Sequence, residues 1–422
     1  MNKLQKLVSK LEKHHKRKID LSLDRTFNLL KKLGNPQNKL QNIVTVVGTN
    51  SKASLCSSLK SILNKGGYKC NMYTSPHLQS YTERFVFNDK EISEENLADL
   101  LNDIEKILGN DECTLFEAIT CAFIKYAENF KDNINIIEAG LFHQYDSTNV
   151  FKDNLATLLG VIHSDHYQWL TNKTIDGVIH EKTSKLLNSN IFINKQVNEE
   201  IRKKIEESLA KNTSKKYFFN KDFNILRSAN NFIQYQDDIG EIILPEPNIL
   251  GDHQLYNIST SIAASRKVFK VKDDDIKLGI QNISLKGRLQ EIKSGNLKEI
   301  AGNNRLILDG GHNISSSLVI ADWIKQQNQK VNLIVGMMKD KDHHEFMSIF
   351  KNIVDRVILI DIHGQDGAIS KEEFKKKIDN LNLNVELSTG IEEAIKTLSK
   401  NNNSITLCLG SLYLVGEILN LN

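Results

Sequence analysis

The feature that most constrains this chain is Ile43-Val44-Thr45-Val46-Val47, which runs directly into Gly48-Thr49-Asn50-Ser51-Lys52-Ala53-Ser54. β-Branched side chains favour strands, and a run without polar alternation suits a strand covered on both faces of a parallel sheet. Such a strand needs a long crossover, and the helical pattern from Lys52 to about Lys65 supplies it. The turn between them presents backbone N–H groups and a helix N-terminus, the chemistry that holds phosphate. Lys52 would neutralise terminal phosphate oxygens, with the Ser54 hydroxyl just beyond for phosphate or Mg²⁺. No glycine directly precedes Lys52, so the spacing departs from the Walker A pattern. Read alone, it is equally an ordinary strand–turn–helix with an exposed lysine.

A second feature tips that balance. Asn133 to Glu138 is an apolar strand ending in an acid, the arrangement by which nucleotide sites hold Mg²⁺. Around these two features the pattern alternates. Strands are expected at Tyr68 to Thr74, Ala156 to Ile162 and Asn190 to Asn194, with helices at Glu94 to Leu108, Leu115 to Asn129 and Ile175 to Leu187. This alternation predicts an α/β doubly wound domain. Short strands separated by Asn- and Asp-rich turns from Tyr217 to Pro245 predict a small antiparallel sheet attached to it. A second α/β series begins near Leu297. The expected organisation is a domain over 1–284, a linker over 285–296 and a second domain over 297–422, with a small-molecule site in the cleft between them.

Bulk properties narrow the function. Lys+Arg 55 against Asp+Glu 52 is too balanced for nucleic-acid binding by overall charge. No apolar stretch reaches the roughly 18 residues of a membrane span. Met1 to Asp20 is basic without an apolar core, so it reads as a short amphipathic helix rather than a secretory signal. Five cysteines without CxxC spacing argue against a disulfide framework or zinc site and for a reduced, cytoplasmic enzyme.

Ordered motifs then add a resemblance. Leu33-Gly34-Asn35-Pro36, the loop at Gly48, Tyr73-Thr74-Ser75-Pro76-His77-Leu78, Thr82-Glu83-Arg84-Phe85, Thr114-Leu115-Phe116-Glu117, Glu138-Ala139-Gly140-Leu141 and Asp146-Ser147-Thr148-Asn149 follow one another. Ser164-Asp165-His166, Glu181-Lys182, His253-Gln254-Leu255-Tyr256-Asn257, Gly287-Arg288-Leu289, Asp309-Gly310-Gly311-His312-Asn313, Gly336-Met337-Met338-Lys339-Asp340 and Gly410-Ser411-Leu412-Tyr413 complete the series. Across almost the whole chain this order resembles the dihydrofolate synthase/folylpolyglutamate synthase branch of the Mur ligases. The resemblance implies a P-loop-containing Mur-ligase-type domain with a small antiparallel sheet, followed by a Rossmann-like C-terminal α/β domain. It implies a ligase that uses ATP to join L-glutamate to dihydropteroate or a reduced folate through an acyl phosphate.

The resemblance also implies roles for matching positions. Gly48, Thr49, Asn50, Ser51, Lys52, Ala53 and Ser54 fall on the ATP phosphates, and Asn257, Arg288 and Asp309 on further ATP contacts. Ser75 and Glu138 are implied ligands of one Mg²⁺, and Glu138, His166 and Lys182 of a second. Lys182 would take part only as a carbamate formed with CO₂, because an ammonium has no lone pair to give. K⁺ is a further implied cation. His312 matches a position near the incoming glutamate. Asp20, Ser22, Arg25, Thr114, Phe116, Glu117, Tyr145 and Asp146 fall on the pterin side. Catalysis would rest on Lys52, Glu138, His166, Lys182 and His312. The expected partners are small molecules alone, with the protein a monomer bound to neither nucleic acid nor membrane.

Three departures stand out. Ser51 and Ala53 occupy positions where the family has glycine, and a left-handed backbone there would cost a non-glycine residue about 1–2 kcal/mol. Phe142-His143-Gln144 replaces a usual Gly-Gly-Arg, and Ser22 replaces a usual glycine. These raise two alternatives, a non-catalytic ATP- or folate-binding descendant and a ligase of altered specificity. A cell-wall peptide ligase is a further alternative, but it needs a UDP-sugar-binding domain ahead of the loop, where this sequence has only Met1 to Val47.

Overall fold

The computed structural model describes residues 3–15, 20–165, 167–228, 232–400 and 403–422. The chain divides into two compact units, Met1–Asn248 with Leu255–Ser284, and Ile249–Gln254 with Leu285–Asn422.

In the first unit the strands are β1 (Ile43–Val47), β2 (Cys70–Tyr73), β3 (Phe85–Phe87), β4 (Lys90–Glu91), β5 (Ile134–Glu138), β6 (Ala156–Leu159), β7 (Asn190–Ile193), β8 (Lys215–Phe218), β9 (Phe223–Arg227), β10 (Ile233–Asp237) and β11 (Gly240–Leu244). Its helices are α1 (Lys3–Leu11), α2 (Asp24–Lys32), α3 (Lys52–Lys65), α4 (Glu94–Leu108), α5 (Leu115–Ala127), α6 (Ile175–Thr183), α7 (Glu199–Ser208), α8 (Asp252–Lys267, whose first turn counts with the second unit) and α9 (Asp273–Ile280).

The large sheet has the order β4-β3-β2-β5-β1-β6-β7-β8. From β2 to β8 its pairings are parallel, and β1 and β5 are buried along their whole length, which is why they read as continuous apolar runs. The chain passes from β1 to β2 on one side and later lays β6, β7 and β8 on the other. The sheet order therefore reverses at β1, and ligands in open α/β sheets bind outside the strand ends at such a point.

Two parts of the expected parallel sheet need correction. Phe85–Phe87 and Lys90–Glu91 close one edge as an antiparallel pair, and α7 and β8 add a further parallel unit at the other. The two-residue turn Asn88-Asp89, with both residues at positive φ, makes the hairpin possible. Helix α7 was hidden by its composition, since Glu-Glu-Ile-Arg-Lys-Lys-Ile-Glu-Glu-Ser buries only Ile201 and Ile205.

Strands β9, β10 and β11 form the expected antiparallel sheet. Phe223, Ile225, Ile233, Tyr235, Ile242 and Leu244 are its buried residues, and a buried Arg266–Asp237 pair at 2.8 Å ties it to α8.

The second unit holds β12 (Gln290–Ile292), β13 (Arg305–Leu308), β14 (Val331–Val335), β15 (Val357–Leu359), β16 (Val385–Leu387) and β17 (Ile405–Leu409), in the order β12-β13-β17-β14-β15-β16. Helices α10 (Asn296–Ala301), α11 (Ile314–Lys325), α12 (His343–Ser348), α13 (Lys371–Ile378), α14 (Ile391–Ser399) and α15 (Leu412–Leu421) connect and flank them. The segment 285–296, expected as a linker, instead contributes β12, paired antiparallel with β13. Its polar residues Gln290 and Glu291 suit a half-buried edge strand, so composition alone resembled a linker.

Among the described residues no helix is long and apolar enough to cross a membrane. All five cysteines are free and buried.

Candidate active site

The loop after β1 is pinned by its neighbours. Thr49 and Asn50 donate their backbone N–H groups to the Val161 carbonyl at 2.8 and 3.1 Å. The Thr49 hydroxyl donates to the His163 carbonyl and accepts from the His163 N–H, both at 3.1 Å. Close approach dictates two glycines here. A Cβ on Gly48 would lie 2.8 Å from the Asn50 carbonyl, and one on Gly160 only 2.6 Å from the same oxygen. Gly160 follows β6 directly and was not singled out from the sequence. Its place right after an apolar run was the available signal.

Ser51 takes φ +73°, the left-handed conformation, whereas Ala53 lies inside α3. The strain expected at both positions therefore falls on Ser51 alone. Ser51 makes no side-chain cap to α3, leaving the first-turn N–H groups of a 14-residue helix without that partner. Together with the helix dipole, this is the chemistry of an anion seat. Lys52 arches back over the loop, its Nζ donating to the Gly48 carbonyl at 3.1 Å and the Thr49 carbonyl at 3.3 Å. Ser54 is buried within α3.

Glu138 ends β5 in register with Val46 of β1, two residues ahead of Gly48. It is 3% exposed and accepts from the Ser75 backbone N–H at 3.2 Å.

Lys182 reaches the same place from α6. It is 2% exposed and donates to the Gly48 carbonyl at 3.0 Å and the Leu141 carbonyl at 2.9 Å. Burial, aided by the nearby Lys52 charge and opposed by Asp165 and Asp146, brings its pKa down to about 7. An amine so placed is a nucleophile near neutral pH. The structure thus brings Lys52 and Lys182 together on the Gly48 carbonyl, and Glu138 together with Ser75. His166 lies outside the described residues.

Among the described residues no three His, Cys, Asp or Glu side chains gather at metal-binding distance. The donors fit Mg²⁺ in kind nonetheless. A buried carboxylate and a serine are oxygen donors, and Mg²⁺ commonly takes one or two carboxylates and fills the rest with water and phosphate. Lys182 as an amine adds no oxygen; as a carbamate it would.

The residues expected on the pterin side form two groups. In one, Thr114 and Glu117 make a capping box at the start of α5, with the Thr114 N–H donating to Glu117 Oε2 at 2.8 Å. Arg25 grips Glu117 with two bonds, Nε to Oε2 at 3.1 Å and Nη2 to Oε1 at 2.9 Å, and reaches the Asp20 carboxylate at 3.1 Å.

In the other group, Phe116 lies against Gly140, where a Cβ would come within 2.6 Å of the ring. Asp146 accepts from the N–H groups of Gly140, Leu141 and Thr148 and from the Thr148 hydroxyl. These four bonds occupy its acceptor sites and shape the turn that presents the Leu141 carbonyl to Lys182. Burial raises the Asp146 pKa, while the bonds from Thr148, Leu141 and Gly140 work against it. That supporting role was not legible from the sequence. Ser22 turns to Asp24 at the entrance of α2, and Tyr145 is largely exposed.

Asn257 belongs to the first unit, on α8, and accepts from Asn194 Nδ2 at 2.7 Å. Arg288, Asp309 and His312 belong to the second. Asp309 leaves β13 and accepts from the N–H groups of Leu289 and Gly311 at 2.8 and 2.7 Å. Burial raises its pKa, and Arg288 opposes this. Arg288 Nη1 donates to the Gly287 carbonyl and lies where a Cβ on Gly310 would meet it at 2.8 Å. His312 Nδ1 pairs with the Gly310 carbonyl at 2.8 Å, which makes Nδ1 the protonated nitrogen in that bond.

A loop at the reversal point of a parallel sheet, together with a second α/β unit, is consistent with the Mur-ligase-like fold class. Comparison with known proteins makes this specific. Residues 293–421 match the family model described as dihydrofolate synthetase, C-terminal domain. The dihydrofolate synthetase of Saccharomyces cerevisiae is 24% identical over 96% of this chain and 98% of its own. The dihydrofolate synthase/folylpolyglutamate synthase of Bacillus subtilis is 27% identical over 94% of each. Among solved structures, the folylpolyglutamate synthase of Mycobacterium tuberculosis complexed with ADP and AMPPCP has a TM-score of 0.87 at 19% identity, covering 99% of this chain and 98% of that one. Escherichia coli FolC in complex with DHPP and ADP has a TM-score of 0.84 at 23% identity, covering 99% and 97%. Over nearly its whole length the chain is thus similar to dihydrofolate synthase/folylpolyglutamate synthase enzymes, and its C-terminal part matches their family model.

Proposed function

We propose that this protein is an ATP-dependent ligase that adds L-glutamate to dihydropteroate or a reduced folate through an acyl phosphate. The observation that carries the reading is the meeting of Lys52 and Lys182 on one carbonyl, that of Gly48, directly after the strand paired with the one that ends in buried Glu138.

In this reading the α3 N-terminus and Lys52 bind and orient the triphosphate. The substrate carboxylate attacks the γ-phosphorus, forming a P–O bond as the bond to ADP breaks. The glutamate amine then attacks the carbonyl carbon, a C–N bond forms, inorganic phosphate leaves with the C–O electron pair, and the amine gives up a proton. Lys52 stabilises charge on the transferring group, and the chain's main task is positioning. Mg²⁺, held by Ser75 and Glu138 and at a second site by Glu138, His166 and carbamylated Lys182, would supply charge neutralisation at the phosphates. A residue with a pKa of about 7 is suited to become that carbamate, because a large share of it is free amine at neutral pH. Asn257, Arg288 and Asp309 serve ATP, and His312 serves the incoming glutamate. The Asp20–Arg25–Glu117 and Phe116–Gly140–Asp146 groups, with Thr114, Ser22 and Tyr145, form the pterin side. K⁺ is a further cation of the reading, and the protein acts as a cytoplasmic monomer on small molecules.

The family model matched at the C-terminal end is described for dihydrofolate synthetase, which puts dihydropteroate first among carboxylates to assay. Purified protein with ATP and Mg²⁺ is expected to release ADP and phosphate only when L-glutamate and either dihydropteroate or tetrahydrofolate are both present. No turnover with either acceptor would overturn the assignment.

A further inference from the structure

Each residue of Phe142-His143-Gln144, which departs from the family's Gly-Gly-Arg, meets the end of α6. The Phe142 ring faces Lys182, with Nζ 5.4 Å from the ring centroid. His143 bonds to the backbone of Lys185. The Gln144 N–H donates to the Glu181 carbonyl at 3.0 Å, and its Oε1 accepts from the Ser184 hydroxyl at 2.8 Å. Three consecutive side chains therefore close on residues 181–185, the end of the helix that carries Lys182. Leu141, just before them, supplies a carbonyl to the Lys182 amine at 2.9 Å.

We propose that Phe142, His143 and Gln144 form a clamp on the end of α6 that fixes the position of the Lys182 amine and so sets how readily it takes up CO₂. These are positioning residues, and the inference rests on the carbamate reading above. In the step they serve, the Lys182 lone pair adds to the carbon of CO₂. An N–C bond forms, one C=O π pair moves onto oxygen, and an N–H proton leaves to water.

One observation supports a clamp over simple core filling. His143 is 2% exposed, and its Nδ1 has no hydrogen-bond partner. A buried imidazole nitrogen without a partner costs stability, so filling space alone does not account for a histidine at this position.

The test is direct observation of the carbamate. Protein equilibrated with ¹³C-bicarbonate is followed by ¹³C NMR, with Lys182→Ala identifying the signal. His143→Ala and Gln144→Ala are expected to lower carbamate occupancy at fixed bicarbonate by about tenfold, the scale of losing a supporting contact to a ligand. Raising bicarbonate should restore it, which a merely misfolded variant would not show. Gln144 is only half buried, so its variant keeps the test valid where His143→Ala does not fold. Wild-type occupancy in a folded variant would overturn the clamp. A wild-type protein with no Lys182 signal would overturn the carbamate reading itself, a distinguishable failure.

Discussion

Replacing Lys182 with methionine should change how stability depends on pH, and the size follows from the site. The Lys182 pKa is 10.5 in an unfolded chain and about 7 in the folded protein. Between those values the unfolded state holds a proton that the folded state has lost, so wild-type stability rises with pH through this window. The penalty is complete below about pH 7 and gone above about pH 10.5. One group contributes a slope of about 1.4 kcal/mol per pH unit, or about 5 kcal/mol across the whole window. Methionine has nearly the same volume and no proton to lose. It forfeits the bonds to the Gly48 and Leu141 carbonyls, but that loss does not vary with pH.

The assay is urea unfolding of both proteins in buffer free of CO₂ and Mg²⁺ at about pH 7.5 and about pH 9.5. The stability of Lys182→Met relative to wild type should fall by about 3 kcal/mol between the two. Parallel curves would refute the reasoning, because they would mean that the amine keeps an ordinary pKa despite its burial.

Three other outcomes are expected. Ser51→Gly should stabilise the protein by about 0.5–1 kcal/mol in the same urea measurement, since glycine relieves the left-handed strain at φ +73° and returns part of the gain as unfolded-chain entropy. Gly160→Ala should raise the KM for ATP about tenfold or more in steady-state kinetics, because its Cβ would lie 2.6 Å from the Asn50 carbonyl and must displace the phosphate loop. Arg25→Ala should cost about 3 kcal/mol by urea unfolding, since it strands the buried Glu117 carboxylate, and the double variant with Glu117→Gln should recover part of that loss.

Local signals reached a long way into this molecule. Ile43–Val47 and Ile134–Glu138 are unmistakable as buried strands because both faces of each are covered, and a helix is obligatory after the first. The acid ending β5, the lysine beginning α3 and the small antiparallel sheet were legible for the same reason: each is written in consecutive residues. Where a signal was diluted it was lost. Charged α7, the three-residue β3 and polar β12 bury too few side chains for periodicity to stand out.

What sequence determined by itself is therefore the set of groups available: a strand-to-helix glycine loop with its lysine, a strand-end carboxylate and a second lysine some 130 residues beyond the loop. Only tertiary structure decided that Lys182 and Lys52 share the Gly48 carbonyl, that Asp146 spends its carboxylate shaping one turn, and that Ser51 rather than Ala53 bears the strain. Those outcomes depend on burial and on contacts between distant segments. Burial turns an ordinary lysine into a near-neutral amine, and no reading of neighbours along the chain contains it.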